Sequence, residues 1–206
     1  HSLEASTRRK LLDPSLVNGA GLILHPSCGV GSFLTETLRV MYAEAKKTHG
    51  EGPARELISK ALKNNIVGID KSERMLRLAL TNLVMFGADM VNLHLANALA
   101  RRGPDGDLTR SLEGKAVLIL TNPPFGANFD GKELACYKLT SKWTRKLPSS
   151  VDSELLFLER YVDWLAPDGQ LLAIVPDSVL TNRNIYEDLR SGLFCLVDIR
   201  SVVSLP

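Results

Sequence analysis

Asn122, Pro123, Pro124 and Phe125 follow the apolar run Ala116 to Leu120, and residues of these types could together hold a planar amine. An amino group conjugated to a ring or a carbonyl is a poor nucleophile because its lone pair is delocalised. The Asn122 side-chain oxygen and the Pro123 carbonyl can accept both of its N–H hydrogens and so localise that pair toward an electrophile. The two prolines fix φ and keep the acceptors aimed. Phe125 offers a face on which a planar base stacks. The competing reading is structural: Pro-Pro ends a strand and Phe125 fills the core.

A second group of candidates lies in "LHPSCGVGSFL" and "VGID". Gly29 and Gly31 precede a helix expected from about Ser32, which lets backbone N–H groups and a helix N-terminus approach a ligand. Asp70 ends a strand, where a carboxylate can accept from both hydroxyls of a ribose; capping a helix near Ser72 is its plainer role. Together these residues point to an adenosine-containing cofactor. Cys28 lies beside the glycines with no partner to make it a nucleophile, and reads as buried filler.

The elements that must position these groups alternate. Strand signals run over Gly21 to His25, Asn65 to Asp70, Asn92 to Ala98, Ala116 to Asn122 and Gly169 to Pro176. Near-continuous apolar strands suit a parallel sheet covered on both faces. Met75, Leu76, Ala79, Leu80 and Leu83 recur at helical spacing, with Ser72 as cap and Gly87 as stop. Leu155, Leu158, Val162 and Leu165 predict one face of a helix opened by Ser153 and closed by "APDG", while "THGEGPARE" (48 to 56) and "RRGPDGD" (101 to 107) read as loops. The order predicts a doubly wound, mostly parallel α/β fold with helices on both faces, in a single domain. In such a sheet the first and fourth strands are neighbours, and the crevice between their carboxyl ends brings the glycine loop opposite Asn122.

Composition narrows the setting. A chain of 206 residues with 45% hydrophobic and 6% aromatic residues can bury one core, and its apolar runs are far shorter than a membrane span. Three widely spaced cysteines support neither a disulfide framework nor a zinc knuckle, so a reducing cytoplasm is the expected compartment. His1, His49 and His94 have no ligand spacing, and no metal is expected. The net charge of +2 is too mild to announce a nucleic-acid partner. "YKLTSKWTRK" (137 to 146) is the exception: Lys138, Lys142 and Arg145 with Trp143 and Tyr137 could contact phosphates and stack on bases, against the plain alternative of a solvated loop.

"NPPF" after an apolar strand, preceded by "HPSCGVGSFL" and "GID", resembles the S-adenosylmethionine-dependent N-6 adenine-specific DNA methyltransferases, most closely the methylation subunit of type I restriction-modification systems. The resemblance spans nearly the whole chain, since "RLALTNLVMFGAD", "LFLERYVDWLAPDGQLLAIVPDSVL" and "VDIRSVVSLP" match that subunit's stretches in the same order. It implies a Rossmann-like class I methyltransferase fold with S-adenosyl-L-methionine as cofactor. His25, Gly29, Gly31 and Phe33 would border the cofactor's methionine part, Asp70 its ribose and Asn97 its adenine. Asn122, Pro123, Pro124 and Phe125 would hold an extruded adenine of DNA. The reaction implied is direct methyl transfer without metal or covalent nucleophile.

The same acceptors would also suit a guanine of ribosomal RNA or a protein glutamine amide, and a degenerate scaffold is the non-catalytic alternative. Specificity and restriction subunits as partners follow from the resemblance alone. The family usually carries aspartate where this chain has His25 and near Asn97. The resemblance further implies that the chain is a catalytic-domain fragment, without the flanking helices and target-recognition region.

Overall fold

The computed structural model describes residues 21–87, 91–130, 137 and 150–205. They fall in two compact units, one running up to Asn122 and taking in Leu165–Ala173, the other made of Pro123–Trp164 and the residues from Ile174 onward.

The first unit holds a five-stranded sheet. Its strands are β1 (Leu22–His25), β2 (Ile66–Asp70), β3 (Asn92–Leu95), β4 (Ala116–Thr121) and the late β7 (Leu165–Ala173). They lie in the order β3-β2-β1-β4-β7, every neighbouring pair parallel. From β1 the chain therefore winds first to one side and later to the other, and the crevice beyond the ends of β1 and β4 is the switch point expected from the sequence. The apolar runs are the strands because both sheet faces are covered: Ile23, Leu24, Ile66, Ile69, Leu118 and Ile119 are all buried.

Helix α1 (Ser32–His49) buries Leu34, Leu38, Met41 and Ala45, and α2 (Glu51–Asn64) buries Ala54, Ile58, Ala61 and Leu62, each at helical spacing. The predicted loop at 48 to 56 is thus only a one-residue break at Gly50, because Pro53 sits in the first turn of α2, where its missing N–H costs nothing. The loop predicted at 101 to 107 becomes α4 (Gly103–Ser111) for the same reason, with Pro104 in its first turn. Helix α3 (Glu73–Met85) starts as expected: the Met75 N–H donates to Ser72 Oγ at 3.4 Å. Ala79 and Leu83 are its buried residues, whereas Leu80 turns outward and is exposed.

In the second unit β5 (Asn128–Asp130) pairs antiparallel with β6 (Ser150–Asp152), which runs straight into α5 (Ser153–Trp164); α6 (Asp177–Thr181) and α7 (Ile185–Phe194) come after it. Helix α5 departs from the predicted single face by burying ten of its twelve residues. Among its buried charges Arg160 bridges to Asp163 at 3.3 Å and lies over the Trp164 ring. The "APDG" turn does not close α5. It lies within β7 as a bulge, so that Ala116 faces Leu165 while Leu118 faces Gln170.

Candidate functional site

Past His25 the chain turns through residues 26–31 before α1. The Cys28 N–H donates to Ile69 O at 2.9 Å and the Gly29 N–H to Asp70 Oδ2 at 2.9 Å, which ties the loop to the end of β2. Asp70 Oδ1 accepts from the Ser72 N–H at 2.8 Å. Asp70 therefore organises both the glycine loop and the start of α3. Each oxygen of an ionised carboxylate has a further lone pair, so this leaves acceptor capacity.

The two glycines do different jobs. Gly29 has φ of 53°, and a Cβ there would meet nothing within 4 Å, so this is the point where a ligand can reach bare backbone. Gly31 has φ of 81° and caps α1, and a Cβ there would lie 3.2 Å from Ala79 Cβ. Its smallness lets α1 start against α3. No side chain caps α1, whose first N–H groups keep their donor capacity. Asn82 Nδ2 holds the tip of the loop, donating to Val30 O at 2.8 Å.

His25, at the end of β1, is 2% exposed, and burial pushes its imidazole down to a pKa of about 3. It is neutral at ordinary pH, and its Nδ1 has no hydrogen-bond partner among the described residues. The Phe33 ring lies 5.4 Å from it, tilted. Cys28 is buried, and desolvation together with the nearby Asp70 charge raises its thiol to about 12. That agrees with a filler and not with a thiolate nucleophile.

Asn97 lies past the end of β3 and is exposed. Its Oδ1 accepts from the Leu99 N–H at 3.0 Å, and its own N–H donates to Asp105 Oδ2 at 2.9 Å. The side chain thus presents its amide NH2 to a ligand more freely than its oxygen.

Beside β1 in the sheet, β4 ends at the buried Thr121, and Asn122 after it is exposed, its side chain unbonded to any described residue. Ser27 Oγ reaches across from the glycine loop to Thr121 Oγ1 and Asn122 O, both at 3.1 Å. In the second unit Pro123 is buried, and Ser153 holds the backbone of the next residues: its Oγ donates to Pro124 O at 2.8 Å and its N–H to Ala127 O at 2.8 Å. Among the described residues nothing donates to the Pro123 carbonyl. Phe125 is 47% exposed, which does not fit the core-filling alternative.

Lys138, Lys142, Trp143 and Arg145 lie outside the described residues. Tyr137, the described member of that stretch, is buried and has no free ring face for a base. Among the described residues no group of three or more His, Cys, Asp or Glu side chains could hold a metal ion, and no helix is long and apolar enough to cross a membrane.

Ser27, Asn82 and Asp105 take part in this geometry without having been singled out by sequence. Ser153 was expected only as a helix opener. For Ser27 the available signal was a hydroxyl in the short loop between a strand end and the first glycine.

The family model described as N-6 DNA methylase matches residues 9–206. The methylase subunit of the type I restriction enzyme EcoEI from Escherichia coli is 24% identical over 203 residues, covering 95% of this chain and 35% of that protein. The type II restriction enzyme and methyltransferase RM.BcgI from Heyndrickxia coagulans is 25% identical over 175 residues, covering 84% of this chain and 23% of that protein. Among solved structures, the type I restriction enzyme EcoKI M protein shares the fold at a TM-score of 0.59 and 20% identity, over 93% of this chain and 38% of its own. The chain spans about a third or less of the curated relatives named here.

Proposed function

The chain belongs to the N-6 DNA methylase family, and from that premise we propose that it transfers a methyl group from S-adenosylmethionine to the exocyclic amino group of adenine in DNA. The observation that carries the proposal is the state of three consecutive carbonyls. Those of Asn122 and Pro124 are taken up by serine hydroxyls, while the Pro123 carbonyl and the Asn122 side chain accept from no described residue. Two unspent acceptors on adjacent residues are what an amine with two N–H groups requires.

The residues of the glycine loop fit the cofactor. The uncapped start of α1 suits a carboxylate, the space at Gly29 lets it approach, and the unspent lone pairs of Asp70 suit ribose hydroxyls. His25, neutral and with an Nδ1 that has no partner among the described residues, stands in place of the aspartate usual in the family and brings no negative charge to an ammonium group. Phe33 lines the same region and Asn97 stands at the end of β3 for the adenine. When bound, the cofactor supplies an electrophilic methyl on a sulfonium.

Asn122 and the Pro123 carbonyl orient the amine and localise its lone pair, so the contribution of these residues is alignment and electrostatics. An adenine amine in duplex DNA is paired and stacked, so the base is extruded, and the exposed Phe125 ring offers it a replacement stack. We place this chemistry in one catalytic domain in the cytoplasm, and, because relatives are named as subunits of type I restriction enzymes, take restriction-system subunits as partners of the whole protein.

The test is transfer of labelled methyl to DNA, RNA and protein by the full-length protein. Label in adenine of DNA, lost by about a hundredfold or more in Asn122→Ala, is the expected result. Label confined to RNA or protein would overturn the DNA assignment, and no transfer at all would overturn the enzymatic one.

A further inference from the structure

Methyl transfer needs the amine acceptors and the cofactor loop at a fixed separation, yet the two come from different strands. The pairing of β1 with β4 ends at Leu24 opposite Ile119, before either functional segment begins. Past that pair Ser27 joins the two. Its hydroxyl lies 3.1 Å from Asn122 O and 3.1 Å from Thr121 Oγ1. A hydroxyl has one proton to give. Because the Asn122 carbonyl can only accept, Ser27 donates to it, and the fully buried Thr121 hydroxyl donates to Ser27. The result is a directed relay, Thr121 to Ser27 to Asn122, from the last residue of β4 through the loop and back to the residue after the strand.

The relay fixes the orientation of the Asn122 carbonyl. Pro123 already confines Asn122 to extended backbone, so fixing its carbonyl also fixes the frame from which its side chain projects. Ser27 precedes Gly29 by two residues, and Gly29 is tied to Asp70. The group that aims the amine is thereby referenced to the loop that faces the cofactor. We propose that Ser27 is a positioning residue for methyl transfer, setting the separation of Asn122 from the glycine loop through this hydroxyl relay. The inference rests on the amine-methylation reading above and adds to it a residue outside the motif.

The test compares Ser27→Ala, Ser27→Thr, Thr121→Val and the Ser27→Ala/Thr121→Val double variant with the parent in the full-length protein. Methyl transfer to DNA, S-adenosylmethionine affinity by titration calorimetry and thermal melting are read for each. A misplaced acceptor lowers kcat and leaves binding alone, so Ser27→Ala should lose about tenfold or more in kcat with the cofactor Kd within about twofold of the parent.

Ser27→Thr, which keeps the hydroxyl, should recover most of that loss. The double variant should be no worse than Ser27→Ala, since both substitutions break one chain of bonds. If Ser27→Ala fails to fold, Thr121→Val removes the first hydroxyl while keeping the side-chain shape, and the same split between kcat and Kd is expected of it. A parental kcat in Ser27→Ala, or parallel losses of kcat and cofactor affinity, would overturn the inference. A parent that methylates nothing would instead overturn the reading beneath it, and that outcome is visible before any variant is made.

Discussion

Gly29 donates its backbone N–H to Asp70 Oδ2 at 2.9 Å, and the other oxygen of the same carboxylate accepts from the Ser72 N–H at 2.8 Å. The end of β2, the loop after β1 and the start of α3 are thus held by one side chain. The two roles that the sequence left open for Asp70, ribose ligand and organiser of the α3 start, are compatible, because the second uses one lone pair on each oxygen and leaves the others.

Asp70→Ala should therefore act twice. Unpairing two backbone donors costs about 1–3 kcal/mol in stability, and loss of the ribose acceptor together with loosening of the Gly29 loop should weaken S-adenosylmethionine binding by about tenfold or more, equivalent to ~1.4 kcal/mol per decade. Urea denaturation and titration calorimetry measure the two effects separately. A destabilised variant with parental cofactor affinity would leave Asp70 only its structural role.

The glycines should separate by experiment as they do by surroundings. Gly31→Ala would place a Cβ 3.2 Å from Ala79 Cβ on a residue at φ 81°. The crowding and the left-handed backbone together should destabilise the protein by about 2–4 kcal/mol. Gly29→Ala meets nothing within 4 Å and carries the backbone cost alone, about 1–2 kcal/mol. Its larger effect should fall on cofactor affinity, since the new methyl stands where a ligand would approach. Thermal melts in the presence and absence of S-adenosylmethionine distinguish the two: Gly29→Ala should lose most of the ligand-induced shift.

The parts of this arrangement that were legible in the sequence are those set by local pattern. Apolar runs marked the five strands, and the order of their connections placed β1 beside β4, hence the glycine loop beside Asn122. Ser72 announced the start of α3 because a cap acts within one turn. What escaped depends on neighbours distant in the chain or on position within an element. Pro53 and Pro104 looked like loop residues until their place in a first turn was known. The contact of Gly31 with Ala79 and the bond of Ser27 to Asn122 span 48 and 95 positions, and no local pattern encodes either. "APDG" misled because a bulge within a strand uses the same residues as a turn that ends a helix.

His25 gives a pH dependence of definite sign. Its imidazole titrates near 6.5 when unfolded and near 3 in the fold, the shift arising from burial. Between these values the unfolded chain holds more protons, so stability falls as pH drops below about 6.5 and this contribution is fully present above it. At pH 5 the loss is about 2 kcal/mol from this residue. His25→Gln, which does not titrate, should shrink the difference in unfolding free energy between pH 7 and pH 5 by about that amount, as read by urea denaturation. An unchanged difference would mean that His25 takes up its proton in the folded state as readily as in the unfolded one.

Phe125 separates a base-stacking ring from a packing ring. With Phe125 47% exposed, truncation to alanine removes only about half of the burial a core phenylalanine would lose, and the expected stability change is about 1–2 kcal/mol rather than the roughly 3–5 kcal/mol of a core ring. A flipped adenine, by contrast, would lose its aromatic partner, worth about 1–3 kcal/mol per stacked base. Phe125→Ala should therefore lower kcat/KM on duplex DNA by about tenfold or more with S-adenosylmethionine affinity unchanged. Phe125→Trp, which retains an aromatic face, should restore part of it. The loss should shrink when the target adenine lies opposite a mismatch, where extrusion costs less and the replacement stack matters less. A variant that loses the roughly 3–5 kcal/mol of a core ring and recovers nothing on mismatched DNA would instead assign Phe125 to packing, and the stacking role would be withdrawn.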